Sequence, residues 1–434
     1  MHAIPPSGSG WKWGAGRAHD RAMLNLRVNG ARLWASLMEI GEIGATPAGG
    51  CRRLALTDED RRARDLFVSW VTATGATVTV DRIGNVFARR AGRRPDLAPV
   101  MIGSHLDTVP TGGKFDGILG VMAGVEVLRT MQEAGIETEH PIEVAVWTNE
   151  EGARFSPAMF GSNVFAGRVS LEDALATPDV AGVTVGEALR ATGYAGDTPI
   201  GGRAIHAYFE LHNEQGPELE AGGQEVGIVV GSFTARYFLA RITGIPAHVG
   251  PTAMAQRRNA LIGASHLLIA LDAIGRAHGE GGRSSAGKIR VFPNVPGVIA
   301  NEVEINCDVR HSDPATADVM AAEFKADAAR IARETDLGID LDPRGTFGPM
   351  RFDRHLGDRL RTAATELGFT HRDLLTVAGH DAIFVADVAP AAMLFAPSVG
   401  GISHNESEWT TPEHATKGAD VLLQAVLAEA RVVS

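Results

Sequence analysis

The 434 residues carry 41 basic and 52 acidic side chains, a net charge of −11, and 44% hydrophobic residues, an ordinary globular balance in a chain long enough for two domains. No Lys/Arg stripe and no uninterrupted apolar run of membrane-spanning length occur, so neither nucleic acid nor a membrane is expected as a partner. Cys51 and Cys307 are too few for a disulfide framework, which points to a reducing, cytoplasmic setting.

Residues 1–24 are rich in Pro, Gly and Ser without the apolar stretch of a secretory signal, and are expected to form a loose arm. Thr57 followed by Asp58, Glu59 and Asp60 reads as a helix start. Ala63, Leu66, Phe67, Trp70 and Val71 then recur at helical spacing, and Gly75 stands where the helix ends. Short β-like runs follow at Thr77–Val80, Asn85–Ala88, Val100–Gly103 and Glu143–Trp147, with a packed helix expected over Gly120–Ala134. Strands alternating with helices predict an α/β fold, with helices on both faces of a sheet, over residues 25–231 and 345–434. Residues 232–344 differ in texture. A strand at Tyr237–Thr243, a helix at Ala260–Arg276, a strand at Val303–Val309 and a helix at Ala315–Glu334 predict an inserted α+β domain.

Five groups suggest a metal site: His105 in GSHLDT, Asp116 in KFDG, Glu150-Glu151 in WTNEEG, His212 in ELHNEQG and His404 in GISHNE. Imidazole with carboxylate suits Zn²⁺, Mn²⁺, Co²⁺ or Ni²⁺. A lone histidine is more often a core residue, and an isolated Glu-Glu pair is more often a solvated face. Together these groups carry more weight, because each sits at a strand end or in a glycine-flanked turn, where loops carry function.

The segments GSHLDTVPTGGKFDGILGVMAGVEV, WTNEEGARFSPAMFGSNVFAG, AYFELHNEQGPELE and GGISHNE resemble the N-carbamoyl-L-amino-acid amidohydrolases. The β-ureidopropionases, allantoate amidohydrolases and ureidoglycolate amidohydrolases share the pattern, within a clan of aminoacylase- and carboxypeptidase-like two-metal hydrolases. The likeness runs from about Asn25 onward. It implies two divalent ions per subunit: Asp116 bridges them, His105 and His212 complete one site, and Glu151 and His404 the other. Asp107 would hold the His105 ring, and Glu150 would be the general base for the attacking water.

GIPAHVGPTAMAQRRNAL in the insert resembles a family segment whose histidine, here His248, reaches the neighbouring active site of a homodimer and binds near the oxyanion; the insert is then a lid and dimerisation domain. Arg310 in CDVRH matches the arginine that grips a substrate carboxylate, which suits its planar fork, although a strand-end ion pair is the plainer reading. Gln215 and His380 match further substrate or active-site positions.

Departures cluster in the specificity residues. PNVPGVIAN stands for the usual PNxxNVIPG, so Gly297 replaces an asparagine, Ala300 a proline and Asn301 a glycine. Asn213 replaces an apolar residue, and Val377 replaces a glycine. With the metal and base residues intact, the implied activity is hydrolysis of an N-carbamoyl-L-amino acid or β-ureido acid to amino acid, CO2 and ammonia, with room for an altered substrate. Allantoate, ureidoglycolate or an N-acyl amino acid is the alternative. A catalytically silent small-molecule-binding protein is the reading from another class, and the complete ligand set argues against it.

Overall fold

A computed structural model describes residues 26–433, so the arm expected over residues 1–24 lies outside the described residues. The chain divides into two compact units. One takes the residues up to Val230 together with Phe352–Leu374 and Gly379 onward, and the other takes Gly231–Arg351 with Leu375–Ala378.

The strands in chain order are β1 (Thr77–Val80), β2 (Val86–Arg90), β3 (Val100–His105), β4 (Ile142–Trp147), β5 (Ala207–Asn213), β6 (Val226–Ser232), β7 (Thr234–Thr243), β8 (Arg283–Phe292), β9 (Glu302–His311), β10 (Gly338–Phe347), β11 (His371–Thr376) and β12 (Ala391–Ala396). The longer helices are α1 (Gly30–Gly41), α2 (Asp58–Ala73), α3 (Ile118–Glu133), α4 (Ala260–Ala277), α5 (Pro314–Thr335), α6 (Arg354–Leu367) and α7 (Pro412–Ala430).

Helix α2 forms where its pattern puts it. The Thr57 side chain accepts from the Asp60 N–H, and Ala63, Phe67 and Val71 are buried while Leu66 and Trp70 pack partly covered. Gly75 follows at a φ of 81°, a turn that glycine adopts without strain.

Eight strands form one sheet in the order β1-β2-β4-β3-β5-β12-β6-β11. Its middle, β4-β3-β5-β12, is parallel, and every residue of these four strands is buried, as helices on both faces require. Helices α3 and α7 cover one face, where Gly120 and Gly418 come against Leu211. The short helices Phe160–Phe165 and Asp381–Val385 cover the other, against Trp147 and Glu210. The parallel register sets His105 level with Trp147 and Phe395 level with His212, so four carboxyl ends open on one edge.

In the second unit β10-β7-β9-β8 form an antiparallel sheet. Phe238, Ala240 and Ile242 of β7, with Val303, Ile305, Cys307 and Val309 of β9, pack against Leu267, Leu271, Met320 and Phe324 of α4 and α5. Among the described residues α4 is the one helix long and apolar enough to cross a membrane by length and composition. Its Leu267, Leu271 and Ile274 face this core, while Leu261, Ile262 and Ile269 stay exposed beside the Arg276–Asp272 ion pair.

A methyl group at Gly120 would lie 2.3 Å from the Leu211 carbonyl oxygen, so α3 touches β5 backbone to backbone. Gly120→Ala should therefore lower stability by about 1–3 kcal/mol, as overpacked cores do. Urea unfolding measures it, and an unchanged midpoint would mean that α3 can slide away freely.

Candidate metal centre and catalytic site

His105 is the last residue of β3, and His212 is the penultimate residue of β5. Asp116 lies just before α3, Glu150 and Glu151 on the loop after β4, and His404 on the loop between β12 and α7. The fold brings all of them together. His212 Nε2 is 3.1 Å and His105 Nε2 3.7 Å from Asp116 Oδ1. On the other side His404 Nε2 is 3.2 Å from Asp116 Oδ2 and 3.3 Å from Glu151 Oε2. Two donor groups result, His105–Asp116–His212 and Asp116–Glu151–His404, each with its ligand atoms within 4.8 Å of one another. Asp116 belongs to both and turns one oxygen to each.

The imidazoles are prepared for ligation. His105 Nδ1 meets the Asp107 carbonyl at 2.9 Å and His212 Nδ1 the Asn213 carbonyl at 2.9 Å. A proton on each Nδ1 leaves a lone pair on Nε2, the atom facing Asp116. The Asp107 carboxylate does something other than hold the ring. It stands 3.9 Å from His105 Nδ1 and instead accepts from the Glu150 N–H at 3.1 Å and the Glu151 N–H at 3.2 Å. Asp107 thus orients His105 through its backbone and the Glu150-Glu151 loop through its side chain.

The charge balance calls for cations. Burial pushes the Asp107 carboxyl up to about 8, with the Asp60 charge adding to it. Burial, and then the charge of Asp381, drives Glu150 well above the carboxylate range. Burial also holds His105 down at about 4 and His380 well below the imidazole range, in the neutral form. His404 is raised to about 11 by its bonds to Asp116 and then Glu151, an anionic pull that a cation would take over. Glu151 Oε1 is buried with no hydrogen-bond partner. Nitrogen and oxygen donors, excess buried negative charge and an orphan carboxylate oxygen fit divalent metal ions. Glu150 Oε2 lies 3.6 Å from His105 Nε2, at the rim of this cluster.

Gln215 adopts a left-handed backbone, φ 60°, and its amide nitrogen donates to Asp116 Oδ2 at 2.9 Å, while Oε1 is buried without a partner. The His380 ring is buried with its centroid 4.5 Å from that of His212.

His248, Gly297 and Arg310 belong to the second unit. His248 is exposed, and its Nδ1 accepts from the Gly250 N–H at 3.1 Å, which leaves the proton on Nε2. An isolated antiparallel β-bridge, outside the strands, pairs His248 with Val298, next to Gly297. Gly297 has a φ of 98° with open space at its Cβ. An asparagine fits that backbone poorly, so the residue marks a different turn and not only a missing side chain. Arg310 gives Nε and Nη2 to Asp308, at 2.7 and 3.3 Å, and Nη1 to the Val377 carbonyl at 2.9 Å.

Two carboxylates escape a reading of the sequence. Glu210 accepts from Ser104 Oγ at 2.9 Å, Tyr208 OH at 3.1 Å and the Ala382 N–H at 2.8 Å. Glu408 accepts from the Phe115 and Asp116 N–H groups and from Ser403 Oγ. The period-2 placement of Glu210 on the His212 side of β5 is the one signal that could have found it.

A sheet with candidate metal donors at the carboxyl ends of parallel strands, in a chain that also carries a helix-backed α+β unit, defines a metal-site α/β hydrolase class. The sequence matches Peptidase family M20/M25/M40 over residues 101–428, and the chain belongs to that family. It is a hydrolase. It is 45% identical over 409 residues to the N-carbamoyl-L-amino-acid amidohydrolase of Rhizobium meliloti, covering 94% of this chain and 98% of that one. The enzyme of the same name from Geobacillus stearothermophilus is 38% identical over 403 residues, covering 92% and 98%. Among solved structures, a hydantoinase/carbamoylase-family amidase from Burkholderia vietnamiensis superposes with a TM-score of 0.90 at 50% identity, covering 94% of this chain and 98% of that one.

Gly117 takes a φ of 70°, and a methyl group there would lie 2.3 Å from His105 Nε2. Gly117→Ala should keep the fold by circular dichroism yet bind metal about tenfold or more weakly, the usual effect of disturbing a ligand's support. Metal analysis after dialysis reads this, and wild-type metal content would contradict it.

Proposed function

We propose that the chain holds two divalent ions and hydrolyses the carbamoyl C–N bond of an N-carbamoyl-L-amino acid or β-ureido acid, giving amino acid, CO2 and ammonia. The observation that carries the two-ion reading is Asp116, one carboxylate shared by two donor groups. The carbamoyl substrate is supported by the names of the similar proteins across nearly the full chain. The candidate ions are zinc, manganese, cobalt and nickel.

His105, Asp116 and His212 would hold one ion, and Asp116, Glu151 and His404 the other. When bound, such ions polarise a carbonyl oxygen and make a water acidic enough to attack near neutral pH. Glu150, beside His105 Nε2, would take the proton of the water that attacks the carbamoyl carbon. As the C–N bond breaks, the same carboxyl gives that proton to the leaving nitrogen.

His248 has the tautomer an oxyanion donor needs, Nε2–H turned outward. In this reading it acts in the neighbouring subunit of a homodimer joined through residues 232–344. Strand β8 offers the contact: it is an edge of its sheet, with Ile289 50% and Phe292 62% exposed. Arg310 keeps two of its five N–H groups after its bonds to Asp308 and Val377, enough for a substrate carboxylate, and those bonds fix its plane. Gln215 and His380, beside Asp116 and His212, would meet the substrate, and Gly297 would bear on its choice. Cys51 and Cys307 are free and buried, which suits the cytoplasm.

Glu150→Gln should retain its metal and lose about 10²–10⁴ in turnover, because an amide cannot take the proton. A mutant with full metal and more than about a tenth of wild-type activity would remove Glu150 from this role. A panel of N-carbamoyl-L-amino acids, β-ureido acids, allantoate, ureidoglycolate and N-acyl amino acids tests the substrate. Fastest turnover of allantoate, ureidoglycolate or an N-acyl amino acid would overturn the assignment, and no metal-dependent turnover at all would favour a silent binding protein.

Inactive Glu150→Gln subunits mixed with inactive His248→Ala subunits should recover activity, since one site of the hybrid has an intact base and a neighbour's intact His248. No recovery from subunits that have demonstrably exchanged would refute action in trans.

A further inference from the structure

Resting on the two-ion reading above, we infer that Glu408 is a positioning residue that sets the Asp116–Glu151–His404 donor group by clasping the His404 loop to the Asp116 loop.

The two donor groups are supported differently. His105 and His212 lie within β3 and β5, in the parallel ladder of the sheet, so backbone pairing places them. Glu151 and His404 stand on loops beyond the ends of β4 and β12. Asp107 holds the Glu151 loop, through two N–H groups. His404 has no such strand behind it. Its side chain is 55% exposed, and it takes a left-handed backbone, φ 50°, that costs a non-glycine residue energy and persists only where neighbours enforce it.

Glu408 supplies that enforcement. It follows His404 by four residues and is only 3% exposed. Its Oε1 accepts from the Phe115 N–H at 3.1 Å and the Asp116 N–H at 3.0 Å, and its Oε2 accepts from Ser403 Oγ at 2.6 Å. The residues it holds are therefore the shared ligand Asp116 and the neighbour of the ligand His404. Gln215 closes the network by donating to Asp116 Oδ2 at 2.9 Å and Ser403 Oγ at 3.3 Å. The Asp116 loop is shaped to admit the carboxylate, since a methyl group on Gly113 would lie 2.3 Å from Glu408 Oε1.

The sheet would thus set one donor group and the Glu408 clasp the other, and removing the clasp should weaken one ion selectively. Calorimetric titration of the metal-free full chain with Zn²⁺ or Mn²⁺ reads stoichiometry and affinity directly. In Glu408→Ala one ion should bind as in the wild type and the other about 10–100-fold more weakly. Glu408→Gln keeps an oxygen for the two N–H groups and can donate its amide to Ser403, so it should return the second ion to within about threefold of wild type. Ser403→Ala, which strips Oε2 of its donor, should weaken the same ion. Equal loss of both ions, or wild-type binding of both, in Glu408→Ala would overturn the proposal. Should that variant fail to fold, unchanged binding of both ions in Ser403→Ala would overturn it. A wild-type chain that binds fewer than two ions, or Asp116→Ala that keeps two, would instead bring down the two-ion reading, and the clasp with it.

Discussion

Burying carboxylates is costly unless opposite charge or hydrogen bonds compensate, and this fold buries Asp107, Asp116, Glu150, Glu210, Asp381 and Glu408 at one end of one sheet. Most of the arrangement around them answers that cost. Backbone N–H groups meet Asp107 and Glu408, hydroxyls meet Glu210 and Asp381, and the imidazoles meet Asp116. Glu151 Oε1 still lacks a partner, and nitrogen and oxygen donors converge on Asp116, a set that suits divalent cations.

Precision in such a pocket has two sources. The parallel ladder pairs His105 with Trp147 of β4 and His212 with Phe395 of β12, so both inherit the rigidity of the core. The loops inherit none and are fixed by side chains crossing between them. Asn149 shows this after β4: held at a φ of 55°, it exchanges hydrogen bonds with Phe155 through both ends of its amide and so folds the Glu150-Glu151 loop back on itself.

Much of this is legible in the sequence because periodicity and wording carry it. Helix α2 announces itself by Thr57 and by apolar residues at helical spacing, and the metal-site candidates stand in glycine-flanked segments whose resemblance names their chemistry. Other features leave no local trace. The continuous burial of β5 and β12 gives no alternation to read, so their pairing, which brings His212 level with Phe395, is a fact of topology alone. Glu408 sits among polar residues in HNESEW and looks like solvated surface until its bonds to a loop nearly three hundred residues away are seen. Asp107 was readable as a partner of His105, but which of its oxygens serves the ring depends on backbone geometry that no motif encodes. At Gly297 the letter suggests a deleted side chain, whereas the φ of 98° reveals a different turn.

The sheet order has a bearing on how the enzyme is made. Strand β12, last in sequence, lies between β5 and β6 in space. A growing polypeptide on the ribosome therefore exposes an unpaired β5 edge, with His212 already made, until about the final tenth of the chain emerges. His404 follows β12 by a few residues, so the Asp116–Glu151–His404 group becomes complete only near the end of translation, long after His105, Asp116 and His212. A prematurely terminated product would lack both the central strand β12 and the loop that carries His404.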